Sequence, residues 1–171
     1  MGIPLGGAPD VATAAPRDAP TMRIGHVHLK VADLDRSLAF YRDALGFHVQ
    51  GRIGDEAAFL SADGEYHHHL GLNTFGSAGG TQPAPGTTGL YHVAIVYPTR
   101  EDLARAADRV SERISHGSDH GVSEAVYLSD PDGNGIELYW DRPAHKWPRT
   151  PDGGLALVNL PLDVGALLSA A

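Results

Sequence analysis

The strongest constraint in this sequence is an internal repeat. The pattern His-Val-x-Leu-x-Val followed by a helical stretch starts at His26, and His-Val-x-Ile-x-Tyr followed by a second helical stretch starts at His92, 66 positions on. In the first copy Val27, Leu29 and Val31 alternate with His26, His28 and Lys30, the period-2 mark of a strand with one apolar face and one histidine-bearing face. Asp33 then caps a helix whose Leu34, Leu38, Tyr41 and Leu45 recur at helical spacing, and Gly46 suits its C-terminal end. Three short strands are expected next, over 47–53, 57–61 and 65–73, so the unit reads βαβββ. In the second copy His92, Ala94 and Val96 share a face opposite Tyr91, Val93 and Ile95. Thr99 with Asp102 forms a capping arrangement, Leu103, Ala106, Ala107, Val110 and Ile114 make an apolar stripe, and strands follow around 122–128 and 136–140. A unit of this size cannot bury its sheet alone, so the duplication predicts an α+β chain of two paired βαβββ modules.

The modules are placed at 23–73 and 89–141, joined by a Gly/Pro/Thr linker over 74–88. Residues 1–22 are rich in Ala, Pro and Gly without periodicity and read as a flexible leader; residues 142–171 read as a tail packing on the modules or on a second subunit. The block Asp130 to Gly135, DPDGNG, is the densest turn signal in the chain and separates the last two strands.

Composition narrows the chemistry. No cysteine is present, which excludes disulfides and thiolate metal sites and leaves histidine and carboxylate as the strong ligands. The formal charge of −8 and the lack of a basic cluster argue against nucleic acid as the main partner. No apolar run approaches the roughly 18 residues of a membrane helix, and no signal peptide is visible, so the expected address is the cytoplasm. Ten histidines in 171 residues are the one excess, and they point to metal or proton chemistry.

In each module the first-strand histidine lies on the face opposite the helix. Pairing two half-sheets about a pseudo-twofold axis brings His26 and His92 towards a shared cleft. Glu137, on the last strand and off its apolar face, can join them. Two imidazoles and one carboxylate are the facial set expected of Fe(II), and they also suit Mn(II), Zn(II) or Ni(II) with sites open for substrate. In the run His67, His68, His69, alternation puts His67 and His69 on one face and His68 on the other; a solvated edge is the plainer reading for His67 and His68. His116, in the polar stretch HGSDHG, reads as an exposed loop residue.

Three stretches, GHVHLKVADLDRSLAFYRDALGF (25–47), GLYHVAIVYPTREDL (89–103) and DHGVSEAVYLSDPDGNGIELYWDRP (119–143), resemble the vicinal oxygen chelate superfamily of glyoxalase I, type I extradiol dioxygenases and bleomycin or fosfomycin resistance proteins. The resemblance implies two βαβββ modules paired into a curved, partly open barrel-like sheet around a metal site. It makes His26, His92 and Glu137 the metal ligands. The last stretch looks like catechol 2,3-dioxygenase-like enzymes, which implies that Tyr127 and His120 sit behind the metal ligands, near the substrate hydroxylates. His69 falls where those enzymes keep an acid-base histidine and where glyoxalase I keeps a metal ligand. The implied activity is ring cleavage of a catechol-like diol with O2, with Fe(II) or Mn(II) and a homodimer supplying the missing pocket wall. Two alternatives remain at this point: a glyoxalase-type lyase or isomerase with His69 as a fourth ligand to Zn(II) or Ni(II), and a metal-independent drug-binding protein.

Overall fold

The computed structural model describes residues 23–171, so the leader expected over 1–22 lies outside the described residues. Two mixed sheets carry the fold. The first comprises β1 (Val27–Lys30), β2 (His48–Ile53), β3 (Ala57–Ser61) and β4 (Leu70–Asn73), in the order β1-β4-β3-β2. The second comprises β5 (Val93–Val96), β6 (Ile114–Asp119), β7 (Ser123–Ser129), β8 (Gly135–Asp141) and β9 (Leu160–Pro161), in the order β5-β8-β7-β6-β9. In both, the first strand runs parallel to the last strand of its unit and the other pairs are antiparallel. The repeat in sequence is thus a repeat in topology.

Each first strand leads into a helix that covers one sheet face. Helix α1 (Leu34–Leu38) is capped by Asp33, whose carboxylate accepts the Arg36 N–H, and it continues as a wider helical turn over Ala39–Ala44. Helix α2 (Arg100–Arg109) is capped by Thr99, which accepts the Asp102 N–H. The core between helices and sheets is aliphatic, built from Leu29, Leu38, Leu60, Leu72, Leu103, Val126, Ile136 and Leu138, with Phe40 and Tyr41. It is one continuous cluster across both units, the large shared burial that pairing requires.

Polar clamps fix how the units meet. The buried Tyr41 donates its O–H to Asp130 Oδ2 at 2.8 Å, and Asp132 Oδ1 accepts the Ala32 N–H at 3.0 Å and pairs with Arg36. Asp130 itself accepts from Asp132 N, Asn134 N and Asn134 Nδ2, which braces the DPDGNG turn from within. Arg109 Nε also donates to the Ala44 carbonyl.

The structure departs from the sequence expectations in three places. The strand expected from residue 65 begins only at Leu70, because Asp63 Oδ1 accepts the N–H groups of Glu65 and Tyr66 and takes that backbone out of the ladder. The stretch HGSDHG is no loop: most of it lies in β6, where His116 pairs with Tyr127 and Ser118 with Ala125. Its polar residues lie on both faces, Ser118 buried and Asp119 paired with Arg142, so no alternation marked the strand. Helix α2 ends at Arg109 rather than reaching Ile114, which opens β6 instead.

The tail packs on the second unit. β9 pairs with β6, helix α3 (Val164–Leu168) is capped by Asp163, and Leu167 is fully buried. Among the described residues no helix is long and apolar enough to cross a membrane.

Candidate metal centre

The site begins at a close approach of two strands. Gly135 opens β8 opposite the residues leading into β5, and a Cβ there would stand 2.2 Å from the Tyr91 carbonyl oxygen and 3.1 Å from His92 Cβ. Any larger residue would push the strands apart. With glycine, the parallel register sets Ala94 beside Glu137, and His92, directly before β5, reaches the same carboxylate. His92 Nε2 stands 3.0 Å from Glu137 Oε2. Their side chains are 29% and 12% exposed, so the pair sits at the rim of the open face without being immersed in water.

Glu137 is held from the far side as well. Tyr127, its cross-strand partner on β7, donates its O–H to Glu137 Oε1 at 2.8 Å. His120 Nε2 lies 2.7 Å from the same phenol oxygen, and the His116 ring stacks on the Tyr127 ring at 4.6 Å. Burial, followed by the hydrogen bond to Glu137, pushes the Tyr127 phenol well above its ordinary range, so it remains a neutral donor. No arginine or lysine pairs with Glu137 among the described residues, although Glu124, buried nearby, is neutralised by Arg100 and Arg142.

This arrangement fits a divalent cation. Donor atoms 3.0 Å apart have the separation of neighbouring ligands at a right angle, each about 2.1 Å from one ion. Imidazole and carboxylate together suit iron, manganese, zinc or nickel.

The remaining sequence candidates divide between two places. His26 directly precedes β1 and, with Ile24, Leu70 and the whole of β5, lines a cavity of about 300 Å³ between the first strands of the two units. Its ring lies 4.4 Å from the ring of His68 and 6.5 Å from that of His28. Among the described residues no three His, Asp or Glu side chains are gathered closely enough to hold an ion, so His26 is not drawn to the His92–Glu137 pair in this conformation. His69 also reaches the cavity, but its Nδ1 accepts the Ala62 N–H at 3.1 Å and its Nε2 faces Asp63 at 3.9 Å. His68, read from sequence as edge-solvated, is the member of the run that joins His26, packed edge-on against Phe59 at 5.1 Å. Burial, then the neighbouring His26, holds the His68 imidazole below its ordinary pKa and favours the neutral form.

Residues 23–138 match the model of the Glyoxalase/Bleomycin resistance protein/Dioxygenase superfamily. The chain is 42% identical over 151 residues to catechol-2,3-dioxygenase of Bacillus subtilis (strain 168), covering 86% of this chain and 52% of that protein. It is 36% identical over 129 residues to biphenyl-2,3-diol 1,2-dioxygenase 3 of Rhodococcus globerulus, covering 71% of this chain and 64% of that one. The chain therefore spans about half to two thirds of the length of these relatives. More distant relatives are named for a metal, a manganese-dependent 2,3-dihydroxybiphenyl 1,2-dioxygenase of Geobacillus genomosp. 3 and an iron-dependent extradiol dioxygenase of Rhodococcus jostii (strain RHA1). Among solved structures, a glyoxalase/dioxygenase from Nostoc punctiforme shares the fold with a TM-score of 0.60 at 24% identity, covering 77% of this chain and 99% of that one.

Proposed function

The chain belongs to the glyoxalase/bleomycin resistance protein/dioxygenase superfamily, and on that premise we propose that it is a metal-dependent extradiol dioxygenase that cleaves the ring of a catechol-like diol with O2. The observation that carries this reading is the donor pair, His92 Nε2 at 3.0 Å from Glu137 Oε2, backed by tyrosine and histidine instead of by a cation. Glu124, buried on the same sheet, is neutralised by Arg100 and Arg142, whereas Glu137 has an imidazole and a phenol beside it. The relatives named for catechol and for biphenyl-2,3-diol support the substrate class, and those named for iron and manganese support the metal.

In this reading His92 and Glu137, with His26 moving in from the facing unit, would hold Fe(II) or Mn(II). When bound, the ion would supply the Lewis-acid and redox chemistry that the diol and O2 require. The chain's own residues do the rest. Tyr127 fixes the Glu137 carboxylate in one orientation and, with His120, offers hydrogen bonds to the diol oxygens. The resemblance gives proton removal to His69, which reaches the cavity beside His26 with its ring engaged by the Ala62 N–H. His68, whose ring lies 4.4 Å from that of His26 and whose Nδ1 stands 2.7 Å from His67 Nδ1, is the base this reading favours. A glyoxalase-type site would need His69 as a fourth ligand, and the Ala62 and Asp63 contacts of His69 do not favour that role.

The test is elemental analysis of purified protein followed by absorbance change with a panel of catechols, in air and under anoxia. Iron or manganese, O2 uptake and a yellow ring-opened product are expected, with both metal and turnover lost in Glu137→Gln. Full metal content and turnover in Glu137→Gln would overturn the ligand assignment. Anaerobic turnover of a hemithioacetal would replace the dioxygenase reading with the lyase.

A further inference from the structure

Strand β1 carries a cation that the metal centre does not use. His26, His28 and Lys30 share the face opposite Val27, Leu29 and Val31, which pack into the core, and both His28 and Lys30 are exposed. The register sets Gly71 beside His28 and Asn73 beside Lys30. A Cβ at Gly71 would stand 2.7 Å from His28 Nδ1, so the glycine lets the His28 ring lie back on the sheet, with Nε2 2.8 Å from Asn73 Nδ2. Asn73 Oδ1 accepts the Phe75 N–H at 3.0 Å, which leaves the amide nitrogen turned to His28. A polar row thus leads from His26 through His28 and Asn73 to the ammonium of Lys30, roughly 13 Å along the strand from His26.

This row borders a cavity of about 480 Å³ between β1 and the linker. His28 and Lys30 supply its polar wall, and Pro83 and Leu90 an apolar one, with Leu90 left 60% exposed. Leu90 and Asn134, on its far side, directly precede Tyr91–His92 and Gly135 in the chain, so that side belongs to the segments that carry the metal centre. Lys30 enters no ion pair among the described residues. Asp132, the one carboxylate lining the cavity, already accepts the Ala32 N–H and the Ser37 hydroxyl and pairs with Arg36. Of the 13 lysines and arginines only Lys30 and Lys146 are lysine, so an ammonium here is not the chain's default cation. A lysine can also guard a sheet edge, and β1 is an edge strand. Either sign of charge serves that purpose, so sign separates the two roles.

We propose that the cavity along β1 takes an anionic side chain on the ring of the diol, with Lys30 pairing its carboxylate and Leu90 and Pro83 packing its methylene groups. The substrate class is then a carboxyalkyl catechol. This names the substrate of the dioxygenase proposed above and rests on that reading.

The test compares catechols carrying a propanoate, a propyl or an aminopropyl side chain, placed next to the diol in one series and one carbon further round in the other. In the metal-loaded full chain, kcat/KM for the propanoate is expected to exceed that for the propyl compound on the order of 10-fold in one series. Lys30→Met is expected to abolish that preference, and Lys30→Glu to turn it towards the aminopropyl compound. Cleavage without a preference for the propanoate in either series overturns the proposal and leaves the function standing. A preference that survives in Lys30→Met overturns it too, whether or not Lys30→Glu folds. Binding is read apart from turnover, from the side-chain amide signal of Asn73, assigned by its loss in Asn73→Asp. If the propanoate shifts that signal in wild type but not in Lys30→Met, while no catechol is cleaved in air, the function falls and the anion site stands.

Discussion

Removing a single oxygen, in Tyr127→Phe, tests how Glu137 is made into a ligand. The phenol is the only neighbour of Glu137 Oε1 among the hydrogen bonds of the described residues, and it bridges to His120. A hydrogen bond to a carboxylate contributes about 1.5–3 kcal/mol where water cannot replace it. Glu137 is only 12% exposed, so little water enters, but His92 remains 3.0 Å from the other oxygen and the carboxylate is not orphaned. The cost to the metal-free protein therefore falls at the lower end, about 1.5 kcal/mol. At about 2–4 °C per kcal/mol for a chain of this size, Tm drops by roughly 3–6 °C.

For metal binding two effects oppose. Losing the orienting partner weakens a site by about 10–100-fold, whereas a carboxylate relieved of a hydrogen bond becomes more basic and a better donor. Orientation wins because Glu137 and His92 must converge on one point. The net expectation is a loss of about 10-fold, or about 1.4 kcal/mol. Titration of stripped protein with Mn(II) or anoxic Fe(II) against a competing chelator measures it. Affinity equal to or tighter than wild type would show that Tyr127 does not orient a ligand, and the site would have to be rebuilt without Glu137.

Two further substitutions separate competing readings of the chain. His68→Ala should lower turnover about 10²–10⁴-fold, the range for loss of a general base, while His69→Ala has the smaller effect; the reverse ranking in steady-state assays would return proton removal to His69. Tyr41→Phe removes the clamp to buried Asp130, which keeps its three other donors, so a loss of about 1.5–3 kcal/mol is expected in urea unfolding with metal content unchanged. Tyr41 also sets an alkaline limit. Burial, then Asp130, holds its phenol far above the unfolded value of 10.0, so the folded chain keeps a proton the unfolded chain releases. That stabilisation is complete below about pH 10 and is lost as pH rises further. The alkaline limb of wild-type stability should be steeper than that of Tyr41→Phe, and parallel limbs would place the clamp elsewhere.

The sequence was legible where side-chain identity and position coincide. His26 and His92 stand at matched points of the repeat, and the structure puts both directly before the first strand of a unit. Glu137 was readable because alternation sets it off the apolar face that Ile136 and Leu138 share. Gly135 carries an equally plain signal, since it closes a turn block yet begins a strand. Its role in letting His92 approach Glu137 depends on a neighbour 44 residues away, which no local pattern displays.

The histidine run was hard to read for a different reason. Period-2 counting assumes a continuous strand, but the Asp63 turn occupies residues 63–66 and β4 starts after the run has ended. The parity that set His67 and His69 on one face and His68 on the other had no strand to act in. The tail shows the deepest limit. What Val158 offers His120 is a backbone oxygen, which every residue has, so the identity of residue 158 says nothing about it. The only trace in the sequence is indirect, a glycine at 121 whose missing side chain makes room for the contact. Side chains that do chemistry leave marks in a sequence; backbone groups that orient them leave marks only where other residues must stay small.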